Sequence, residues 1–230
     1  MQLLLPVSIQ SSQTFSSFVE AKASNGLINS SLKACFDSPE FSCAVIVGAE
    51  SSGKSHLLSA CCNLANELSK TSMLLPLEQV SELSPEVIDG LGDVEVICVD
   101  NLQYIAGNAG WETAIFNLFN VLQQNKAKLF ISATGLPNDL SIELPDLVSR
   151  LQWGTLFQLI SLDNEEKISA LIQHAHQMGF ELSEEVASFM LNRLPRKMVF
   201  LMQALNTLAK QSIEQQRMVT VPFVKQVLEI

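Results

Sequence analysis

The feature that most restricts what this chain can fold into is the run Gly48-Ala49-Glu50-Ser51-Ser52-Gly53-Lys54-Ser55. It satisfies the pattern G-x-x-x-x-G-K-[ST], that of a loop whose backbone wraps a phosphate chain. Ahead of it, Cys43-Ala44-Val45-Ile46-Val47 is short and apolar, suited to a strand buried on both faces. Behind it, His56-Leu57-Leu58-Ser59-Ala60-Cys61-Cys62-Asn63-Leu64-Ala65 contains no helix breaker and suits a helix. Strand, glycine loop and helix in that order supply what the chemistry needs. The two glycines let backbone N–H groups turn inward, and the helix N-terminus adds its dipole to hold an anion. In that frame Gly48, Ala49, Glu50, Ser51, Ser52, Gly53, Lys54 and Ser55 cradle the phosphates. Lys54 reaches the β- and γ-phosphates, and the Ser55 hydroxyl sits on Mg²⁺. The chain is expected to bind ADP or ATP with Mg²⁺.

The surrounding sequence continues the alternation that such a loop requires. Ser72–Pro76, Val94–Asp100, Leu129–Thr134 and Leu156–Ile160 read as further strands, each an apolar run of strand length. Helical patterns fall between them, at about Gly26 to Phe36, over Pro85–Leu91 and over Trp111–Gln124, where Ala114, Ile115, Leu118, Val121 and Leu122 form one stripe. Strands alternating with helices predict an α/β fold, a parallel sheet sandwiched by helices, with ligands gathered at the C-terminal ends of the strands. Gly48, Asp100 and Thr134 then share that edge. After Ile160 the strands stop. Asp163 and Glu166 resemble a capping box, and four apolar helical faces follow, the last opened by Pro222. The expected division is an extended segment over 1–10, an α/β nucleotide-binding domain over 11–160 and a small all-helical lid over 161–230.

Composition removes several classes of function. The net charge is −10 and only 14 residues are Lys or Arg, so a face that grips DNA by neutralising phosphates is not expected. No apolar run approaches membrane-spanning length, and Met1-Gln2-Leu3 lacks the basic start of a signal peptide. Cys35, Cys43, Cys61, Cys62 and Cys98 fall within expected helices and strands without a C-x-x-C pair, which reads as buried thiols in a reducing cytoplasm. His174 and His176, two apart on an expected helix, point to different faces and do not form a metal site.

Three more positions carry chemistry. Asp100 closes an apolar strand, where a phosphate-loop protein places a carboxylate that holds Mg²⁺ through water. Arg150 lies in Leu147-Val148-Ser149-Arg150-Leu151-Gln152-Trp153-Gly154, just ahead of the fifth strand. It reads either as a surface ion-pair arginine or as a finger presented to a neighbour's γ-phosphate. Arg196, at the start of the third lid helix, reads either as a surface charge or as a lid contact to the bound phosphates. Residues 1–10, with Leu3, Leu4, Leu5, Pro6 and Val7 and no helical period, read either as an edge strand or as an exposed docking peptide.

Taken together, the phosphate loop, Asp100-Asn101, Ser149-Arg150, Trp153-Gly154 and the helical lid resemble the AAA+ family, and within it the DnaA-related proteins. Further shared stretches are Thr14-Phe15-Ser16-Ser17-Phe18, Trp111-Glu112-Thr113-Ala114-Ile115-Phe116, Leu144-Pro145-Asp146-Leu147-Val148 and Val221-Pro222-Phe223-Val224-Lys225. Gln2-Leu3-Leu4-Leu5-Pro6 is similar to the peptide by which such proteins dock on the sliding clamp of the replicative polymerase. The resemblance implies a negative regulator of replication initiation. Gln2, Leu3, Leu5 and Pro6 would plug the clamp pocket, Arg196 would touch the nucleotide from the lid, and Arg150 would act in trans on ATP bound by DnaA, leaving DnaA-ADP. DnaA continues into a helix-turn-helix domain, absent before Ile230 here, so DNA is expected to be reached only through the clamp. A homo-oligomer is compatible with the resemblance. Two departures bear on it. Asn101 stands where hydrolytic AAA+ members carry a glutamate base, so slow turnover by the chain itself is expected. Thr134 stands where an acidic sensor is often found. The rival reading from the same residues is a self-sufficient phosphate-loop ATPase, a loader or remodeller.

Overall fold

The computed structural model describes residues 11–21, 27–80 and 83–230; the expected clamp peptide, with Gln2, Leu3, Leu5 and Pro6, lies outside them. The chain divides into two compact units, the second holding Ser161–Ile230 together with Val19–Ala21.

In the first unit five strands, β1 (Ser42–Gly48), β2 (Ser72–Pro76), β3 (Val96–Asp100), β4 (Lys128–Ala133) and β5 (Thr155–Leu159), form one sheet in the order β2-β3-β4-β1-β5. Every pairing is parallel. Parallel strands need crossovers, and helices supply them on both faces. The helices α1 (Leu27–Asp37) and α2 (Lys54–Glu67) pack on the face formed by Ala44, Ile46, Val96, Cys98 and Phe130. After β2 comes the single turn α3 (Leu77–Val80). The longer α4 (Ala109–Gln124) and α5 (Pro145–Trp153) then cover the opposite face, formed by Val45, Val47, Ile97, Val99, Leu129 and Ile131. Alternate residues of one strand thus feed two cores, which is why the strands read as continuous apolar runs.

Where observed elements differ from those expected, the cause is local. The stretch expected as a helix over Pro85–Leu91 forms two 3-10 turns, Pro85–Ile88 and Leu91–Asp93, separated by Gly90 in the left-handed region at φ 87°. Lys128 joins β4 although charged. Its buried ammonium donates to the carbonyl oxygens of Ser38 (2.8 Å) and Glu40 and to Ser42 Oγ. The helix α5 was not legible from the sequence.

The second unit carries α6 (Asn164–Gln177), α7 (Glu184–Arg193), α8 (Met198–Gln215) and α9 (Val221–Leu228) around a core that includes Leu171, Met190, Leu205 and Phe223. The capping box is formed: the Asp163 side chain accepts from Glu166 N–H, and the Glu166 side chain accepts from Asp163 N–H, both at 2.8 Å. Among the described residues no helix is long and apolar enough to cross a membrane.

Candidate nucleotide-binding site

The phosphate loop joins β1 to α2 at the C-terminal edge of the sheet. Its glycines are needed where they stand. A Cβ on Gly48 would lie 2.8 Å from the Leu159 carbonyl oxygen. Gly53, the N-cap of α2, has φ 101°, and a Cβ there would lie 2.7 Å from the Phe18 ring. Lys54 is buried, and its ammonium donates to the carbonyl oxygens of Gly48 and Ala49, each at 2.7 Å. Burial holds the Lys54 pKa below the usual lysine value, while the Asp100 and Glu50 carboxylates act to raise it. Within the same loop the Ser52 hydroxyl is buried and, among the described residues, has no hydrogen-bond partner. A lysine held against the loop, an unpaired hydroxyl and two positions closed to side chains fit a phosphate chain. Ser55 and Asp100 supply the oxygen donors that Mg²⁺ prefers.

The carboxylate end of the site is built by strand register. Val99 pairs with Ile131, so Asp100 falls beside Ser132. The wholly buried Ser132 hydroxyl donates to Asp100 Oδ1 and accepts from the Asn101 N–H at 2.8 Å. Sequence reasoning overlooked Ser132; the available signal was a hydroxyl in the otherwise apolar run Leu129-Phe130-Ile131-Ser132-Ala133. Asn101 adopts φ 63° and ψ 55°, a left-handed conformation that asparagine tolerates better than most residues. Its amide oxygen accepts from Gln103 Nε2 at 3.2 Å. An amide can orient water but cannot take its proton. Thr134 is exposed just past the end of β4.

A second overlooked pair fixes the chain that borders the loop. His56 Nε2 lies 3.0 Å from the Thr14 carbonyl oxygen and 3.1 Å from Ser17 Oγ, and Asn63 Nδ2 donates to the Gln13 carbonyl oxygen at 2.7 Å. These polar residues share one face of α2 at i and i+7. Phe15 goes into the core, whereas Phe18 stands edge-on to His56 at 5.4 Å and against Gly53. A groove of about 510 Å³ lies elsewhere, between the Pro85–Asp93 segment and α4. It carries Glu86, Asp89 and Asp93 and no cation, which makes it unsuited to phosphate.

Arg150 sits in the last turn of α5. Its guanidinium lies over the Trp153 ring at 4.3 Å and near Phe119 at 5.9 Å, and among the described residues it forms no ion pair. Trp153 is 64% exposed, so the stack faces outward. The end of α5 runs into Gly154, which packs on Cys43 near the start of β1, and Phe119 meets Phe41, just ahead of β1, edge to face at 5.2 Å. Arg150 is therefore at the N-terminal edge of the sheet. Its own phosphate loop is at the other end, separated by the seven-residue length of β1, or about 20 Å at roughly 3.3 Å per residue. The site thus brings Lys54, Ser55 and Asp100 to one edge and leaves Arg150 at the other. Arg196 is exposed in the turn between α7 and α8 of the second unit.

Residues 9–158 match the model of the bacterial DnaA ATPase domain. The chain belongs to the DnaA-related AAA+ family. Residues 164–228 match the model of the Hda lid domain, so Arg196 falls within a lid of that type. Domain III of the Thermotoga maritima replication initiation protein DnaA is 23% identical, with a TM-score of 0.78 over 97% of this chain and 98% of that one. AMPPCP-bound DnaA from Aquifex aeolicus is 19% identical, with a TM-score of 0.70 over 90% of this chain and 67% of that one. The Thermotoga maritima RuvB Holliday junction branch migration motor is 15% identical, with a TM-score of 0.69 over 96% and 73%. At these identities the neighbours establish the fold: a five-stranded parallel sheet sandwiched by helices, followed by a helical lid.

Proposed function

We propose that this DnaA-related AAA+ protein is an Hda-like negative regulator of replication initiation in the cytoplasm. In this reading it binds ADP or ATP with Mg²⁺ at Gly48–Ser55 and Asp100, with Arg196 reaching the phosphates from the lid. It docks through Gln2, Leu3, Leu5 and Pro6 on a DNA-loaded sliding clamp and lends Arg150 to ATP held by DnaA. The guanidinium stabilises negative charge developing on the γ-phosphoryl group as it leaves, and such an arginine contributes about 10³–10⁵ in rate. The product is inactive DnaA-ADP.

The observation that carries this reading is the position of Arg150, which is stacked outward on Trp153 at the sheet edge opposite its own phosphate loop. A guanidinium so placed can serve a neighbour's nucleotide and not its own. Asn101 supports the division of labour. A positioned general base is worth about 10²–10⁴-fold, and the chain has an amide at that position. Hydrolysis of DnaA-bound ATP, measured with DNA-loaded clamp present, should fall by about 10³-fold or more in Arg150→Ala, with ADP affinity and clamp binding unchanged. Equal stimulation by the variant would remove Arg150 from the mechanism. Rapid ATP turnover by the isolated chain would favour a self-sufficient loader or remodeller instead.

A further inference from the structure

We infer that Glu112 is a positioning residue for Arg150, acting as the cap of the helix that presents it; the inference rests on the trans role of Arg150 proposed above. A helix start leaves N–H groups in need of acceptors. Its own sequence gives the start of α5 only the Leu144 carbonyl, which accepts from Leu147 N–H at 3.1 Å and Val148 N–H at 3.2 Å; Leu144 is the N-cap residue, with no side-chain cap bond, and Pro145 follows. The side-chain acceptor comes from α4. Glu112 is 0% exposed. Its Oε1 accepts from Gly107 N–H at 2.7 Å and from Glu143 N–H at 3.1 Å, and its Oε2 accepts from Glu143 N–H at 3.0 Å and Leu144 N–H at 2.8 Å.

One carboxylate therefore ties together three segments. The first is the loop that follows Asp100-Asn101, through Gly107. The second is the first turn of α4, where Glu112 itself sits and where the helix dipole favours negative charge. The third is the start of α5. Burying a carboxylate is costly unless hydrogen bonds offset it, and an exposed Ser or Asp at position 144 would cap the helix with no such cost. What the buried clamp adds is direction, since it fixes α5 against α4 rather than only satisfying its amides. Arg150 lies six residues beyond Leu144, about 9 Å along the axis at 1.5 Å per residue. A tilt of about 10° at the capped end thus moves its backbone by roughly 1.5 Å, and a misplacement of about 1 Å can cost about a hundredfold in rate.

The test uses the full chain with Glu112→Gln, whose amide must turn an NH₂ group toward N–H donors, and with Leu144→Pro. The latter removes one donor while leaving Glu112 intact, at a residue whose φ of −81° is close to the proline value. Stimulated hydrolysis of DnaA-bound ATP is measured against chain concentration with DNA-loaded clamp, and amide exchange at Glu143 and Leu144 is followed by NMR. For Glu112→Gln we expect faster Glu143 and Leu144 exchange and a maximal rate lowered about tenfold or more. Half-saturating concentration and ADP affinity should stay within about twofold, and adding Glu112→Gln to Arg150→Ala should cause no loss beyond that of Arg150→Ala alone. Leu144→Pro should lower the maximal rate in the same direction, and it carries the test if Glu112→Gln does not fold. Accelerated exchange with an unchanged maximal rate would make Glu112 a structural cap only. A loss that adds to that of Arg150→Ala would show that it acts by another route. If Arg150→Ala itself leaves stimulation intact, the trans-arginine reading fails separately, because amide exchange reports the cap without any partner present.

Discussion

Replacing Ser132 by alanine tests how the phosphate site is held together. The hydroxyl is wholly buried, donates to the Asp100 carboxylate and accepts from the Asn101 N–H at 2.8 Å. Alanine removes both bonds at once and adds nothing. A hydrogen bond to a charged group contributes about 1.5–3 kcal/mol, and a buried group left without its partner costs about 1–3 kcal/mol. Asp100 is only 6% exposed, so water cannot fully replace the lost donor. Asn101 is half-buried and recovers part of its loss from solvent. The variant should therefore be destabilised by about 2–4 kcal/mol.

The functional consequence is narrower. Without the hydroxyl, the Asp100 carboxylate is free to turn away from the phosphate loop, whereas Lys54 and the loop amides are untouched. Urea unfolding should show a lower midpoint at unchanged slope. Calorimetric titration with ADP should give an affinity within about twofold of the parent when Mg²⁺ is absent, and the extra affinity conferred by Mg²⁺ should be largely lost. A stability change under about 0.5 kcal/mol, the scale of an ordinary surface substitution, would refute the buried-bond reasoning. A full Mg²⁺ increment in a destabilised variant would remove Asp100 from the metal site.

Two further outcomes follow from burial elsewhere. Burial pushes up the Cys35, Cys43, Cys61 and Cys98 thiols, Cys43 to about 12, and Cys62 is raised chiefly by its hydrogen bond with Cys98. Cys61, Cys62 and Cys98 are buried, whereas Cys35 and Cys43, expected to be buried, are half-buried. A disulfide reagent at about pH 8 should therefore leave the first three nearly unmodified in the native chain, react slowly with the other two and react with every one after denaturation. Burial holds His174 in α6 below its ordinary 6.5, so on acidification the unfolded chain takes up that proton first, and the contribution is fully present above 6.5 and lost as pH falls through the lower folded value. Unfolding midpoints at about pH 7.5 and about pH 5.5 should differ less in His174→Gln than in the parent, and an equal difference would show that other groups set the acid sensitivity.

The parts of the fold legible in the sequence are those in which burial is two-sided. All residues of β3 and β4 are buried, so each leaves an apolar run that composition alone exposes. The phosphate loop is legible for a different reason, because its backbone conformation demands glycine at fixed spacing. The helix α5 hid itself because only Leu147 and Leu151 are buried, too sparse a stripe to stand out over nine residues. Ser132 and Glu112 were missed for a shared cause. Each looks ordinary in one dimension, a small residue in a strand and a charge on a helix, and only the register of β3 with β4 or the meeting of α4 with the start of α5 reveals what it holds.

The parallel sheet itself explains why Arg150 and the phosphate loop lie apart. Every strand ends at the same edge, so the glycine loop after β1 and the carboxylate closing β3 come together there. Each crossover must return along the outside of the sheet before the next strand can begin. The helix α5 is one of those returns, and its last turn, with Arg150, necessarily arrives at the start of β5. A chain wound in this way holds that arginine at the opposite edge from its own phosphate loop; under the function proposed above, it would meet a γ-phosphate where this edge is set against the phosphate-loop edge of another protein.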